Sequence, residues 1–349
     1  FQVNSYTSSS QVGADIAAGG AGQFMVVWAS YLQDGSAYGI RGRVFDSGGS
    51  PLGPDFAVNS HTTDSQEDPA VTSDGQGNFI VVWHSMGQDG SGRSVHARRF
   101  DSSGANLGAE FQVNTYTTGN QERPDVASDT SDNFVITWQS DGSNGHDTSL
   151  ASSQVRYFDA NGNPTLGPEF VVNTYSYDNQ VFPAIAADDQ DRFVVVWQSD
   201  GSQYSDHFAS SIQGQRLDFQ GGLGDEFQVN SYTTGGQFTP AVAAFAALSF
   251  VVSWNSDLPS ATDPSRGIVA RCFCLGSTNE FHVNTFTTGS QELPAIAADD
   301  DGNFVVVWQS YGSSGSDNDS ASIQAQFYDA LFRDGFDSGG TSRWSAALP

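Results

Sequence analysis

The sequence predicts an all-β fold, a six-bladed β-propeller with four-stranded blades, and three regularities carry that prediction. An F-x-V-N segment opens at Phe1, Phe56, Phe111, Phe170, Phe227 and Phe281, which divides most of the 349 residues into six similar units. A Trp follows each of these Phe residues at one fixed distance, at Trp28, Trp83, Trp138, Trp197, Trp254 and Trp308. All variation in unit length falls after the Trp, where a free loop absorbs it. Each unit also contains four short apolar runs bounded by Gly, Asp, Asn and Ser, and no segment shows a helical period.

The last unit serves for the element order. Its runs are Phe281 to Thr287, Pro294 to Ala298, Asn303 to Gln309 and Ser322 to Asp329. The third of these, NFVVVWQ, is apolar on both faces, as a strand between two neighbouring sheets must be. With PAIAA as the innermost strand, NFVVVWQ and SIQAQFYD follow outward and the next F-x-V-N segment is the outer strand. The last unit then lacks its outer strand, and Phe1 to Thr7 is expected to supply it and close the ring. Residues 1–330 are thus read as the propeller, with repeats starting at 1, 56, 111, 170, 227 and 281, and residues 331–349 as a C-terminal tail.

Composition narrows the function. The 13 basic residues are all Arg against 40 Asp and Glu, a formal charge of −27. Such a chain lacks the basic patches that nucleic acid or an anionic membrane surface requires. Without Lys there is neither Schiff-base chemistry nor a P-loop lysine. Cys272 and Cys274 are two apart on a strand-like run, share a face and are not expected to bond each other easily. No apolar run reaches the length of a membrane helix, so no membrane insertion is expected. Phe1 lies inside a repeat, which is read as a processed or trimmed chain.

Three polar columns are identical in all six units. Asn occupies 4, 59, 114, 173, 230 and 284; Gln occupies 11, 66, 121, 180, 237 and 291; Ser follows each Trp by two. Strand order places all three on one face of the disc, with Gln in the loop before each inner strand. Two readings stand. Their side chains satisfy loop backbone groups and tie blade to blade, or they form repeated shallow pockets for sugar hydroxyls, each with a Trp plane. The pocket reading names Asn114, Gln121, Trp138, Ser140, Asn173, Gln180, Trp197 and Ser199 as ligand-binding candidates.

The opposite face collects turns rich in Asp. Asp and Asn serve tight turns through Asx hydrogen bonds. The clusters Asp188, Asp189, Asp191 and Asp299, Asp300, Asp301, Asn303 also offer the hard oxygens that Ca2+ takes, although no full EF-hand spacing is present. Ca2+ is the only cofactor the sequence suggests. No H-x-H, HExxH or Cys/His cluster occurs. Sialidases are propellers too, but their S-x-D-x-G-x-T-W turn is broken here. His146-Asp147 and Asp206-His207 in long loops are the one conceivable acid/base pair. Unit five departs from the pattern: Phe245 stands where other units have the turn Asp, and the apolar run Ala243 to Leu248 reads either as a decayed repeat or as a subunit contact.

The text FVVVWQS, a Gly/Ser/Asp loop, IQAQ-x-(F/Y)-D and EFQVNT-x-T-x-G-x-Q resembles a repeat of large secreted and surface proteins of bacteria. The run Asp334 to Ser345, DGFDSGGTSRWS, resembles a short C-terminal tail of many exported proteobacterial proteins. These resemblances imply a propeller exported to the extracellular space or cell surface, with no defined activity. The expectation is a non-catalytic, exported propeller, not an enzyme, acting in adhesion or self-assembly as a surface-layer, matrix or filament subunit. Its partners would be other copies of itself or cell-surface glycans, with Phe332, Phe336, Trp344 and Leu348 as assembly anchors in the tail. The alternatives are a lectin with repeated pockets and, third, a propeller hydrolase of unknown substrate.

Overall fold

The computed structural model describes residues 1–329 apart from 21, 144–149, 202–208, 223, 246–248, 258–265, 275–278, 286–288 and 313–320. It is all-β: six sheets, one per repeat, each running outward from an inner strand. Blade one is Gln11–Ala18, Phe24–Tyr31, Tyr38–Phe45 and Phe56–Ala57, in that order. Every neighbouring pair in a blade is antiparallel, and the inner strands of successive blades lie side by side around the axis. Among the described residues there is no helix long and apolar enough to cross a membrane.

The core sits between blades. One cluster joins Met25, Val27 and Ile40 of blade one to Phe79, Val81 and Trp83 of blade two, and four more join each later pair of neighbours. This is why the Trp strand is apolar on both faces: one face packs within its own seam and the other against the next sheet. Phe245 belongs to the cluster with Phe304 and Tyr328 of blade six and is only 4% exposed. Phe245 is therefore core and not a subunit contact; residues 246–248 of the same apolar run lie outside the described residues.

Two boundaries differ from the sequence reading. The inner strands begin at Gln, three residues before the Pro in Gln291–Ala298, so Gln is a strand residue and not a loop residue. A β-bulge explains it: register shifts in every inner strand, between Val12 and Asp15, Glu67 and Ala70, Val181 and Ala184, Phe238 and Ala241, and Glu292 and Ala295, and likewise opposite Thr137 and Gln139 in blade three. The strand passes through Pro because the bulged residue needs no ladder N–H. The outer strands are only two or three residues long, since Asn then turns the chain toward the next blade.

The N-terminal segment lies in the position of the sixth outer strand as seen from blade one. Arg43 donates to Val3 O at 2.8 Å, just as Arg98 of blade two donates to Val58 O at 3.0 Å. Ser5 N donates to Asp55, as Ser60 N does to Glu110. The ladder of blade six itself has three strands, Gln291–Ala298, Phe304–Ser310 and Ser322–Tyr328. Its outward face is open: Ile323 is 76% exposed, whereas Ile212 and Ile268 at the same register are fully buried.

Cys272 and Cys274 are joined as a disulfide, with Cα atoms 5.4 Å apart, which corrects the expectation that they would not bond. Cys274 lies just past the strand Gly267–Phe273, where the chain leaves the fully extended form, and the separation falls in the range a disulfide spans.

Candidate functional site: the mouth of the central channel

The repeated polar columns are struts. Asn114 accepts from Val95 N at 2.8 Å and donates to Tyr116 O and Gln121. Asn173 accepts from Ser153 N at 2.9 Å. Gln180 accepts from Trp197 Nε1 at 3.2 Å and donates to Tyr177 O, and Gln121 donates to Thr118 O. Ser140 and Ser199 donate to Gly142 O and Gly201 O. Trp138 and Trp197 are fully buried, so neither ring presents a face to a ligand.

The Asp turns use their own oxygens. Asp188 accepts from Gln190 N and Arg192 N and pairs with the Arg192 guanidinium at 2.9 Å; Asp299 accepts from Asn303 N and Nδ2 at 2.8 and 2.7 Å. Asp191 accepts from Thr130 N of the neighbouring blade, while Asp189, Asp300 and Asp301 are exposed. Among the described residues no three His, Cys, Asp or Glu side chains converge as a metal group. Phe332, Phe336, Trp344 and Leu348, and the pairs His146-Asp147 and Asp206-His207, lie outside the described residues.

A different set of residues converges at the end of the channel where the inner strands begin. The residue before each inner-strand Pro is in the left-handed region: φ is 50° at Asp68, 54° at Arg123, 53° at Phe182, 46° at Thr239 and 53° at Leu293, with Gly13 at 58° in blade one. Left-handed backbone at a non-Gly residue costs on the order of 1–2 kcal/mol, here imposed by the bulge, which re-aims these side chains. The Arg123 guanidinium lies 4.3 Å from the Phe182 ring centroid, which links this column between blades three and four.

Behind this column, blades two and three supply charge. His84 is buried beside Glu67 and Asp68, with nitrogens 3.7 and 3.6 Å from their carboxylates. Arg93 pairs with Glu122 at 2.7 Å, and Gln139 donates to the other oxygen of Glu122. The His84 imidazole and, more weakly, Arg93 hold the Glu67 carboxyl below its usual range. Several buried polar atoms on this side of the ring accept no hydrogen bond: Gln139 Oε1, Thr239 Oγ1 and Asn255 Oδ1. Buried polar atoms without partners are rare and require a reason.

Two residues further along the inner strands, Asp15 and Asp125 stand where the other blades have Ala70, Ala184, Ala241 and Ala295. Asp15 accepts from Val71 N at 2.7 Å, and Asp125 from Ile185 N at 2.9 Å and Val126 N at 2.8 Å. Burial pushes Asp15 up, and burial together with the Asp15 charge pushes Asp125 up to about 7. The channel therefore offers a carboxyl that retains its proton near neutrality and another, Glu67, that is held ionised. Environments that separate the proton affinities of two carboxyls assign one as acid and the other as base or nucleophile.

None of these residues stands out in the sequence, because they occupy columns that differ from repeat to repeat. The available signal is that divergence: in an alignment of the six units, the pre-proline column reads Gly, Asp, Arg, Phe, Thr, Leu, and the column after Pro carries Asp in two units and Ala in four. A single reaction centre on a pseudo-symmetric ring needs such divergence.

No family model and no curated protein sequence matches the chain. Solved structures do. A protein of unknown function from Dyadobacter fermentans aligns with TM-score 0.61 and 10% identity over 94% of this chain and 96% of its own. The GH93 α-L-arabinofuranosidase of Fusarium graminearum aligns at 0.59 and 11% over 92% and 93%, and the α-L-arabinanase of Penicillium chrysogenum at 0.58 and 13% over 92% and 94%. At these identities the likeness shows the fold, a β-propeller, alone. The expectation of a non-catalytic adhesion or assembly subunit, and not an enzyme, is corrected by these neighbours: two of them, aligned over nearly their whole length, are an α-L-arabinofuranosidase and an α-L-arabinanase.

Proposed function

We propose that the chain is a propeller hydrolase that cleaves glycosidic bonds at the mouth of its central channel. The observation that carries the reading is the pair of channel carboxyls with opposed proton affinities, Asp125 raised to about 7 and Glu67 lowered. Asp125 acts as the general acid toward the leaving oxygen, with Asp15 beside it sustaining its protonation. Glu67 is the ionised partner that activates water or attacks the sugar carbon, held by His84. Glycoside hydrolysis needs this division of labour between two carboxyls. The partnerless polar atoms of Gln139 and Asn255 suit sugar hydroxyls, and the Phe182 ring suits the apolar face of a sugar. The arabinan-directed enzymes that share the fold support a glycan substrate. The resemblance to bacterial secreted repeats and the strongly acidic surface support action outside the cell.

The test is release of reducing ends from a panel of plant and bacterial polysaccharides by the parent, Asp125→Asn and Glu67→Gln. Hydrolysis by the parent of at least one polymer, with both variants folded and at least about 100-fold slower, is the expected result. Parent activity that both folded variants retain, or no hydrolysis across the panel, refutes the assignment.

A further inference from the structure

The mouth of the channel carries its charge unevenly. The two residues before the inner-strand Pro are Glu67 and Asp68 in blade two and Glu122 and Arg123 in blade three, whereas blades four and five bring no charge there, with Val181, Phe182, Phe238 and Thr239. Glu122 is held by Arg93 at 2.7 Å, and Asp68 faces His84. Arg123 is exposed, and among the described residues no carboxylate lies within ion-pair distance of it. Its guanidinium rests instead on the half-buried Phe182 ring, 4.3 Å from the centroid.

That isolation sets Arg123 apart. Among the described residues four arginines pair with carboxylates, and four more hand a guanidinium N–H to a backbone carbonyl of the preceding outer segment. Arg99 and Arg216 lie on third strands, away from the axis. Arg266 also lies over a ring, 4.5 Å from the Phe238 centroid, but it is paired with Asp257 at 3.0 Å. No other inner strand contains a basic residue. A chain with a formal charge of −27 thus places one unneutralised cation beside its channel carboxyls.

We infer that Arg123, backed by Phe182, is the subsite for an anionic substituent of the glycan, a uronate carboxylate or a sulfate ester, and that the substrate class is acidic polysaccharide; the inference deepens the hydrolase reading and rests on it for the reaction. A guanidinium presents a planar fork of donors that matches such an oxyanion. The ring beneath steadies the plane of the fork, so less side-chain freedom is lost on binding. An exposed ion pair alone contributes little, and the uncharged surface of blades four and five adds apolar contact for the sugar ring. An anionic unit turned the other way meets Glu67 and Asp68, so like-charge repulsion orients the chain with that unit toward Arg123.

Titration calorimetry at low salt with hexagalacturonate, a sulfated galactan hexamer and neutral arabinohexaose tests it, on the full chain carrying Asp125→Asn so that the probes stay intact. The expected result is saturable binding of at least one acidic hexamer with Kd of about 1 mM or tighter, at least about tenfold tighter than arabinohexaose; whichever acidic hexamer binds tighter identifies the anion. Adding Arg123→Gln weakens acidic binding at least about tenfold and leaves the neutral hexamer within about twofold. Arg123→Asn, a residue that tolerates left-handed backbone, has the same effect and keeps the test open if the first variant fails to fold. Arg99→Gln removes the same charge from a third strand and leaves binding unchanged. Equal binding of acidic and neutral hexamers, acidic binding that both Arg123 variants retain, or a loss in Arg99→Gln as large as in Arg123→Gln overturns the subsite. Arg123-dependent acidic binding in a chain that cleaves no polymer refutes the hydrolase reading and leaves the subsite standing, whereas cleavage of neutral polymers alone refutes the subsite and leaves the hydrolase reading standing.

Discussion

Replacing Asn114 by Ala tests whether the repeated polar columns hold the ring together. Asn114 is 3% exposed and makes three hydrogen bonds: from Val95 N at 2.8 Å, to Tyr116 O at 2.9 Å and to Gln121 Oε1 at 3.2 Å. The Val95 amide lies in the buried third strand of its blade and finds no substitute acceptor, which costs about 1–3 kcal/mol. The two donated bonds contribute roughly 0.5–1.5 kcal/mol each, part of which water recovers at Tyr116 O. The sum is about 2–6 kcal/mol. At about 2 °C per kcal/mol for a domain of this size, the melting temperature falls by about 4–12 °C. Circular dichroism melting near pH 7 reads the effect directly. Asn4→Ala is the internal control: Asn4 occupies the same column, but it is half-buried and donates to Tyr6 O at 2.7 Å without supporting a buried strand amide, so its loss costs less. An Asn114→Ala variant that melts with the parent, or an Asn4→Ala variant that falls as far, refutes the strut account.

Three further outcomes follow from named contacts. Asp125 ionises near 3.8 when unfolded but at about 7 in the fold; the unfolded chain therefore releases this proton first as pH rises, and Asp125 withdraws stability between about pH 4 and 7. Asp125→Asn removes that loss, so it melts higher than the parent at pH 8 and no higher at pH 4; equal melting at both pH values contradicts the raised affinity. Deleting residues 1–7 removes the Phe1 to Phe45 ring contact, 5.3 Å between centroids, and the Val3 and Ser5 contacts with Arg43 and Asp55; calorimetry should show a lower melting temperature, and an unchanged one would mean that blade one needs no outer neighbour. EDTA leaves the melting curve unchanged at low salt, because Asp188 and Asp299 already spend their oxygens on their own turns; a fall in melting temperature restored by Ca2+ would reverse this.

Much of the architecture was legible because a propeller repeats one local instruction. The fixed Phe-to-Trp distance and the doubly apolar Trp strand are local patterns, and a period of this length can bury its sheets only by stacking them. The bulged inner strand was less legible, since Pro294 reads as a strand start when the left-handed Leu293 before it is unseen. A column of acids just before each F-x-V-N segment passed unnoticed for the same reason: Asp55, Glu110, Glu169, Glu226 and Glu280 cap Ser5, Ser60, Thr115, Thr174 and Ser231 about one repeat earlier, and a contact across blades has no signature inside one blade.

The sequence by itself determined the six units, their strand order, the interblade Trp core and the polar columns that repeat, because each is enforced by spacing along one stretch of chain. Only the tertiary structure decided what the non-repeating residues do. Asp15 and Asp125 are 110 residues apart, and Glu67 and His84 belong to different strands. The side-by-side packing of the inner strands brings Asp15 within electrostatic reach of Asp125, and burial with that charge raises Asp125. Proton affinity and unpaired charge depend on distance and burial, and neither quantity exists along a sequence until the blades close around the axis.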